Sequence, residues 1–223
     1  MAGRTTTRWV LGATSALAAL SVLGQYPQSL AGGERGLVFE TIEYFSYFTI
    51  LSNIVVAVGT GLFAANPDRR EHWAGALRIA GIVMISVTGI VYHLLLAADN
   101  DPVGIAFVTD AGLHTVVPLV TVLGWIVVGP HRRFGPHILA RAMVIPIAWL
   151  AYALVREAIV GEALYPFMDV GELGGGQVAL TLLAIALFAT ALGLVVLAGD
   201  RWLPHSPMYE EAAEQPTGAS PAP

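Results

Sequence analysis

The sequence predicts an all-α polytopic membrane protein, with six transmembrane helices in a single bundle. Hydrophobic residues make up 56% of the 223-residue chain and charged residues only 12%, with a mean hydropathy of +0.68, which is too apolar for an ordinary soluble domain. The apolar residues gather into six runs, each long enough to cross a hydrocarbon core of about 30 Å. Short polar connections separate the runs, so consecutive helices are expected to be antiparallel neighbours.

The first run, 9–25, follows Arg4 and Arg8. Its rival reading is a cleaved signal peptide, because Ser29-Leu30-Ala31 resembles a small-residue cleavage site. The interposed Gln25-Tyr26-Pro27-Gln28 lengthens the gap between apolar core and cut, and favours a retained helix. The second run, 41–64, opens on aromatic and hydroxyl side chains and ends at Asn66-Pro67-Asp68-Arg69-Arg70. The third, 77–98, ends at Asp99-Asn100-Asp101-Pro102, and the fourth, 106–128, at Gly129-Pro130-His131-Arg132-Arg133. Each of these connections combines charge with turn-forming Pro, Gly or Asn. The fifth and sixth runs are 140–160 and 178–197. Residues 1–204 are thus one transmembrane domain, while 205–223, rich in Pro, Glu and Ala without periodicity, are expected to form a disordered cytoplasmic tail. No internal repeat of the transporter kind is visible.

Arginine placement sets the expected orientation. Arg4, Arg8, Arg69, Arg70, Arg78, Arg132, Arg133, Arg141 and Arg201 fall on one side of the six runs, and Arg35 and Arg156 on the other. The positive-inside rule then puts both termini in the cytoplasm. Trp9, Trp73, Trp125 and Trp202 map near the same inner boundary, while Glu34, Glu40, Glu43, Glu157, Glu162, Asp169 and Glu172 collect outside. The net charge of -5 therefore says little about partners. There is no basic stripe for nucleic acid; the expected partner is the lipid bilayer, and the sequence does not encode an oligomeric state.

Two absences exclude chemistry. Without cysteine the chain has no thiol nucleophile, disulfide or thiolate metal site. Without lysine it cannot form a retinal-type Schiff base, since all 11 basic side chains are arginine. The arginine-only basic set and abundant alanine fit the coding bias of a GC-rich bacterium, which places the protein in a bacterial inner membrane.

Polar groups inside the apolar runs carry the functional signal, because ionisable side chains in hydrocarbon are costly. Thr49 and His114 each lie roughly 12 Å from the outer end of their runs at 1.5 Å per residue, so they are expected to meet at one level. Asp110 stands one turn from His114 at the i, i+4 spacing that shares a face, and Asn53 stands below Thr49 in the same way. Pro118, four residues after His114, lacks an amide hydrogen, so the His114 carbonyl should lose its helical partner and leave a local kink or an extra acceptor there. Tyr92 and His93 lie near the outer end of the third helix. Each has a plainer reading. A threonine in a membrane helix ordinarily returns its hydroxyl to the carbonyl one turn earlier, here Phe45, a buried histidine can serve as interhelical glue, and Tyr165-Pro166 can be an interfacial anchor followed by a turn.

Threonine is a weak nucleophile until a base takes its proton, and imidazole at the same depth is a group able to take it. Asp110 is then suited to fix the imidazole tautomer. Asn53, Tyr92, His93 and backbone amides at a broken helix are the candidate oxyanion donors. No Gly-x-Ser-x-Gly elbow occurs. Two alternatives compete with a hydrolase: a non-catalytic transporter or ligand-binding bundle using His93, Asp110 and His114 as a proton or ion site, and haem or metal ligation through His93 and His114. With two such histidines and no carboxylate or thiol cluster of ligand spacing, neither a metal nor another cofactor is expected.

Three motifs, in order along the chain, carry a resemblance: Tyr47-Phe48-Thr49, Gly112-Leu113-His114-Thr115 with Pro118, and Tyr165-Pro166-Phe167-Met168-Asp169. Together they resemble the androgen-induced-gene family of integral membrane hydrolases, whose animal members cleave fatty acid esters of hydroxy fatty acids. The resemblance implies Thr49 as nucleophile, His114 as its base and a lipid-like ester as the substrate partner. Two departures bear on substrate: Ser52, with Asn53 one further on, stands where animal members tend to place an acidic residue or close relative, and Arg156 and Glu157 stand where they tend to be aromatic and histidine-rich.

Overall fold

The computed structural model describes residues 2–31 and 33–204; the tail expected over 205–223 lies outside them. The described residues form helices and connecting loops with no strand among them, and six helices are long and apolar enough to cross a membrane: Gly3–Ala31, Phe48–Ala65, His72–Leu96, Ile105–Val128, Pro136–Val160 and Gly175–Trp202. They pack into one bundle, as expected of an integral membrane protein.

In chain order the helices are α1 (Ala2–Ala31), α2 (Leu37–Ser46), α3 (Phe48–Ala65), α4 (His72–Val91), α5 (Ile105–Ala111), α6 (Val117–Val128), α7 (Pro136–Ala142), α8 (Val144–Val160), α9 (Val170–Leu173) and α10 (Gly175–Trp202). The π-helical turn Tyr92–Leu96 extends α4, and the π-helical turn Gly112–Val116 joins α5 to α6. Helix α4 is central and packs on α3, α6, α7 and α10. Its most apolar stretch is 61% buried against 11% for α10, so α10 offers Leu180, Leu183, Leu187, Leu194 and Val195 outward, to the acyl chains of a bilayer. Small residues set the closest approaches. A Cβ on Gly89 would lie 3.0 Å from Pro118 and 3.2 Å from the His114 carbonyl, and one on Gly112 would lie 2.5 Å from the Ser21 hydroxyl. Glycine at these positions lets α4 and α1 seat the π-helical turn that carries His114.

Two differences from the sequence expectation shape the site. The second run is not one helix over 41–64. It breaks at Tyr47, whose φ of -65° and ψ of 135° are extended. The break has donors waiting for it from α8: the Trp149 indole donates to the Ser46 carbonyl at 2.8 Å and the Tyr152 hydroxyl meets Ser46 Oγ at 2.6 Å. Thr49 therefore sits in the first turn of α3 and not well down a long helix. The second difference concerns Pro118. Its kink is absorbed by a π-helical turn, in which Val117 donates to the Gly112 carbonyl five residues back. In that register Pro118 would have bonded Leu113, and the Asn53 side-chain amide donates to the Leu113 carbonyl instead, at 3.3 Å. Such turns inside helices concentrate at functional sites.

Candidate active site

The first turn of α3 determines what surrounds Thr49. A helix start leaves its first amides without intrahelical acceptors, and the first bond in α3 runs from the Leu51 amide to the Tyr47 carbonyl at 3.1 Å. The Thr49 amide instead donates to the Tyr165 hydroxyl at 3.4 Å. The Thr49 carbonyl accepts from Ser52 Oγ at 2.9 Å and Asn53 Nδ2 at 2.8 Å, and Ser52 is tied onward to Thr88 at 2.8 Å. The backbone of Thr49 is thus fixed from both ends.

Its side chain does not return to Phe45, because Phe45 lies beyond the break. Thr49 Oγ1 stands 3.3 Å from His114 Nε2. The other imidazole nitrogen, Nδ1, is 3.0 Å from Asp110 Oδ1 and 3.2 Å from the Asp110 carbonyl. Both neighbours of Nδ1 are oxygens that accept with an ionised Asp110, so Nδ1 carries the proton of the neutral ring and Nε2 presents its lone pair to the threonine. The Asp110 carboxylate also accepts from the Tyr92 hydroxyl at 2.7 Å and from Asn100 Nδ2 at 3.1 Å. Tyr92 lies flat on the imidazole, with ring centroids 3.8 Å apart and planes within 10°. The ring is held in its plane by stacking and about its axis by the carboxylate. The side chains of His114 and Asp110 are 13% and 14% exposed.

The sequence-derived candidates accordingly divide. Thr49, His114 and Asp110 form one hydrogen-bonded chain, and Tyr92 buttresses it. Asn53 is not free to donate to a developing oxyanion: its amide hydrogens face the Thr49 and Leu113 carbonyls, where the helix irregularities leave acceptors. Tyr92 has spent its hydrogen on Asp110. His93 lies outside the chain; it is exposed, and its Nε2 meets Thr115 Oγ1 at 3.0 Å. Asp169, the acid of the third motif, caps α9 by accepting the Glu172 amide at 2.9 Å.

Tyr165 has a larger part than an interfacial anchor. It is buried between α3 and α8, edge-on to Tyr47 at 5.7 Å and to Trp149 at 6.2 Å, and stacked on Phe167 at 5.2 Å. Burial pushes its hydroxyl pKa up to about 12, so it stays protonated. Because the phenolic oxygen receives the Thr49 amide, its hydrogen is available for another acceptor. The motif drew attention to Tyr165, but its link to Thr49, 116 residues away, depends on the break at Tyr47.

A cavity of about 320 Å³ opens at Thr49, within the size range of small-ligand pockets. Its walls come from the α3 start, α4, α8, the Tyr165–Met168 loop and α10, and besides Thr49, Thr88, Tyr92, Tyr165 and Thr190 they are apolar or aromatic. From Leu96 to Val83 it follows α4 for about 20 Å at 1.5 Å per residue, the length scale of an extended long-chain acyl group. Helices α8 and α10 flank it and scarcely touch each other, leaving the side of the cavity toward lipid loosely closed. His114 stands behind Thr49, off the cavity wall. No family profile, curated protein or solved structure matches the chain.

Proposed function

We propose that the protein is an intramembrane hydrolase of fatty acyl esters, with Thr49 as nucleophile and His114 as its base. The observation that carries this reading is the unbroken sequence of contacts Thr49 Oγ1, His114 Nε2, His114 Nδ1 and Asp110 Oδ1, which begins at the wall of an apolar cavity. That is the nucleophile, base and orienting acid of hydrolytic triads, which are identified by geometry and role and not by fold.

In this mechanism an acyl chain lies along α4 and brings its ester carbonyl to Thr49. Oγ attacks the carbonyl carbon as its proton passes to Nε2, and the imidazolium is stabilised by Asp110. The tetrahedral oxyanion is met by the Tyr165 hydroxyl, beside the first turn of α3, which carries the positive end of the helix dipole. Collapse breaks the ester bond, Nε2 returns the proton to the leaving alkoxide, and an acyl-threonine remains. Water, deprotonated by Nε2, attacks the acyl carbon and releases the fatty acid, restoring Thr49. Loose contact between α8 and α10 supports lateral access from the bilayer.

Arginine asymmetry supports an orientation with both termini cytoplasmic, so that Thr49 faces the outer leaflet, and the coding bias supports a bacterial inner membrane as the setting. Reporter fusions after Arg70 and Arg133 are expected to read cytoplasm and fusions at Asp101 and Glu172 the outer side; reversal at two or more sites would overturn this orientation.

Tyr165→Phe tests the oxyanion role. The phenyl ring keeps the packing with Phe167, Tyr47 and Trp149, so the variant is expected to fold and bind substrate with nearly unchanged KM, while kcat falls about 100- to 1,000-fold. Unchanged kcat would assign Tyr165 to packing.

A further inference from the structure

At the end of the bundle opposite Thr49, α4 and the α7–α8 junction leave a groove of about 510 Å³. Its composition changes along its length. Ala76, Leu77 and Ile145 make an apolar floor, and His72, Trp73 and Arg141 stand above it. His137 meets His72 edge to face at 5.4 Å, adding a second imidazole beside the rim. Trp73 is 53% exposed, as aromatic side chains are at membrane boundaries.

The charge at this rim is uncompensated. Arg141 is exposed and makes no hydrogen bond or ion pair among the described residues. The acids of the adjoining 66–71 connection are engaged elsewhere: Glu71 pairs with Arg69 at 3.2 Å, and Asp68 with Arg4. Arg69 itself lies over the Trp73 ring, 5.6 Å from its centroid. A free guanidinium directly above an apolar slot between two transmembrane helices calls for a ligand that is anionic at one end and hydrocarbon at the other. A soluble anion would leave Leu77 and Ile145 uncovered, and an uncharged lipid would leave Arg141 unneutralised. Basic pockets of this kind between helices bind anionic lipid head groups.

We propose that the groove holds one glycerophospholipid of net negative charge, its phosphate against Arg141 and His72 and an acyl chain along Leu77 and Ile145. This site is separate from the cavity at Thr49 and does not depend on the hydrolase reading.

Native mass spectrometry of the detergent-extracted full chain, titrated with phosphatidylglycerol and in parallel with phosphatidylcholine, tests it. The wild type is expected to retain one phosphatidylglycerol in preference to phosphatidylcholine. Arg141→Gln should weaken that retention about fivefold, the size of one basic contact with anionic lipid, and His72→Gln should weaken it by less. Arg201→Gln, a change of equal charge at the exposed end of α10, should leave it as it is, and inorganic phosphate should not displace the lipid. Equal retention of the two lipids, equal loss in the Arg141 and Arg201 variants, or displacement by inorganic phosphate would each overturn the proposal.

Discussion

Thr49→Val is expected to fold and insert like the wild type and to lose ester cleavage, by at least about a thousandfold in kcat. Valine keeps the branched shape of threonine, and the contacts that hold the first turn of α3 survive the exchange. They are backbone contacts, from the Thr49 amide to Tyr165 and from Ser52 and Asn53 to the Thr49 carbonyl. What is removed is the oxygen 3.3 Å from His114 Nε2. His114→Ala is expected to cost a similar factor, because an alcohol without a base is a poor nucleophile. Groups acting as one unit give non-additive losses, so the double variant should be little worse than either single one. Turnover measured on a panel of fatty acyl esters, with thermal stability followed alongside, checks both points. Additive losses would mean that the two side chains act separately.

Asp110→Asn is expected to give the second large effect, a fall in kcat of about 100- to 10,000-fold with little change in KM. The carboxylate accepts from His114 Nδ1, Tyr92 and Asn100, which only an acceptor on both oxygens can do. Asparagine offers an NH2 group on one side. To keep the bond from Tyr92 it must turn that group toward Nδ1, which drives the ring proton to Nε2 and removes the lone pair from Thr49. The corresponding change in a hydrolytic triad leaves geometry intact and gives the wrong tautomer. Nitrogen NMR of labelled histidine reads this directly: the wild type should show Nδ1 protonated, and the variant Nε2. Wild-type turnover in the variant would limit Asp110 to packing.

The readable part of the fold was the part written locally. Runs of apolar residues bounded by turn-forming connections define the six spans, and the i, i+4 spacing of Asp110 and His114 puts acid and imidazole on one face before any tertiary contact is considered. The meeting of Thr49 with His114 follows from equal distances to the outer boundary, but the way it is achieved does not. No proline or glycine marks the break at Tyr47; it is held by Trp149 and Tyr152, over a hundred residues away. That same break frees the Thr49 amide for Tyr165 and takes the Phe45 carbonyl out of reach, so the ordinary helical fate of a buried threonine does not apply. Asn53 looked like a donor for chemistry because its residue type allows it. Its occupation by the Leu113 carbonyl depends on the π-helical turn and Pro118 together, a register that spacing alone does not reveal. His93 shares a sequence neighbourhood with Tyr92, yet one residue of helical rotation turns it toward Thr115 and away from the imidazole chain.

A Thr49 hydroxyl activated by His114 should be open to covalent capture. Purified protein treated with an active-site-directed fluorophosphonate, digested and sequenced by tandem mass spectrometry, is predicted to carry the phosphonyl group on Thr49. The adduct should be absent from Thr49→Val and strongly reduced in His114→Ala. Failure of the wild type to react, or labelling that persists undiminished in Thr49→Val, would contradict that activation.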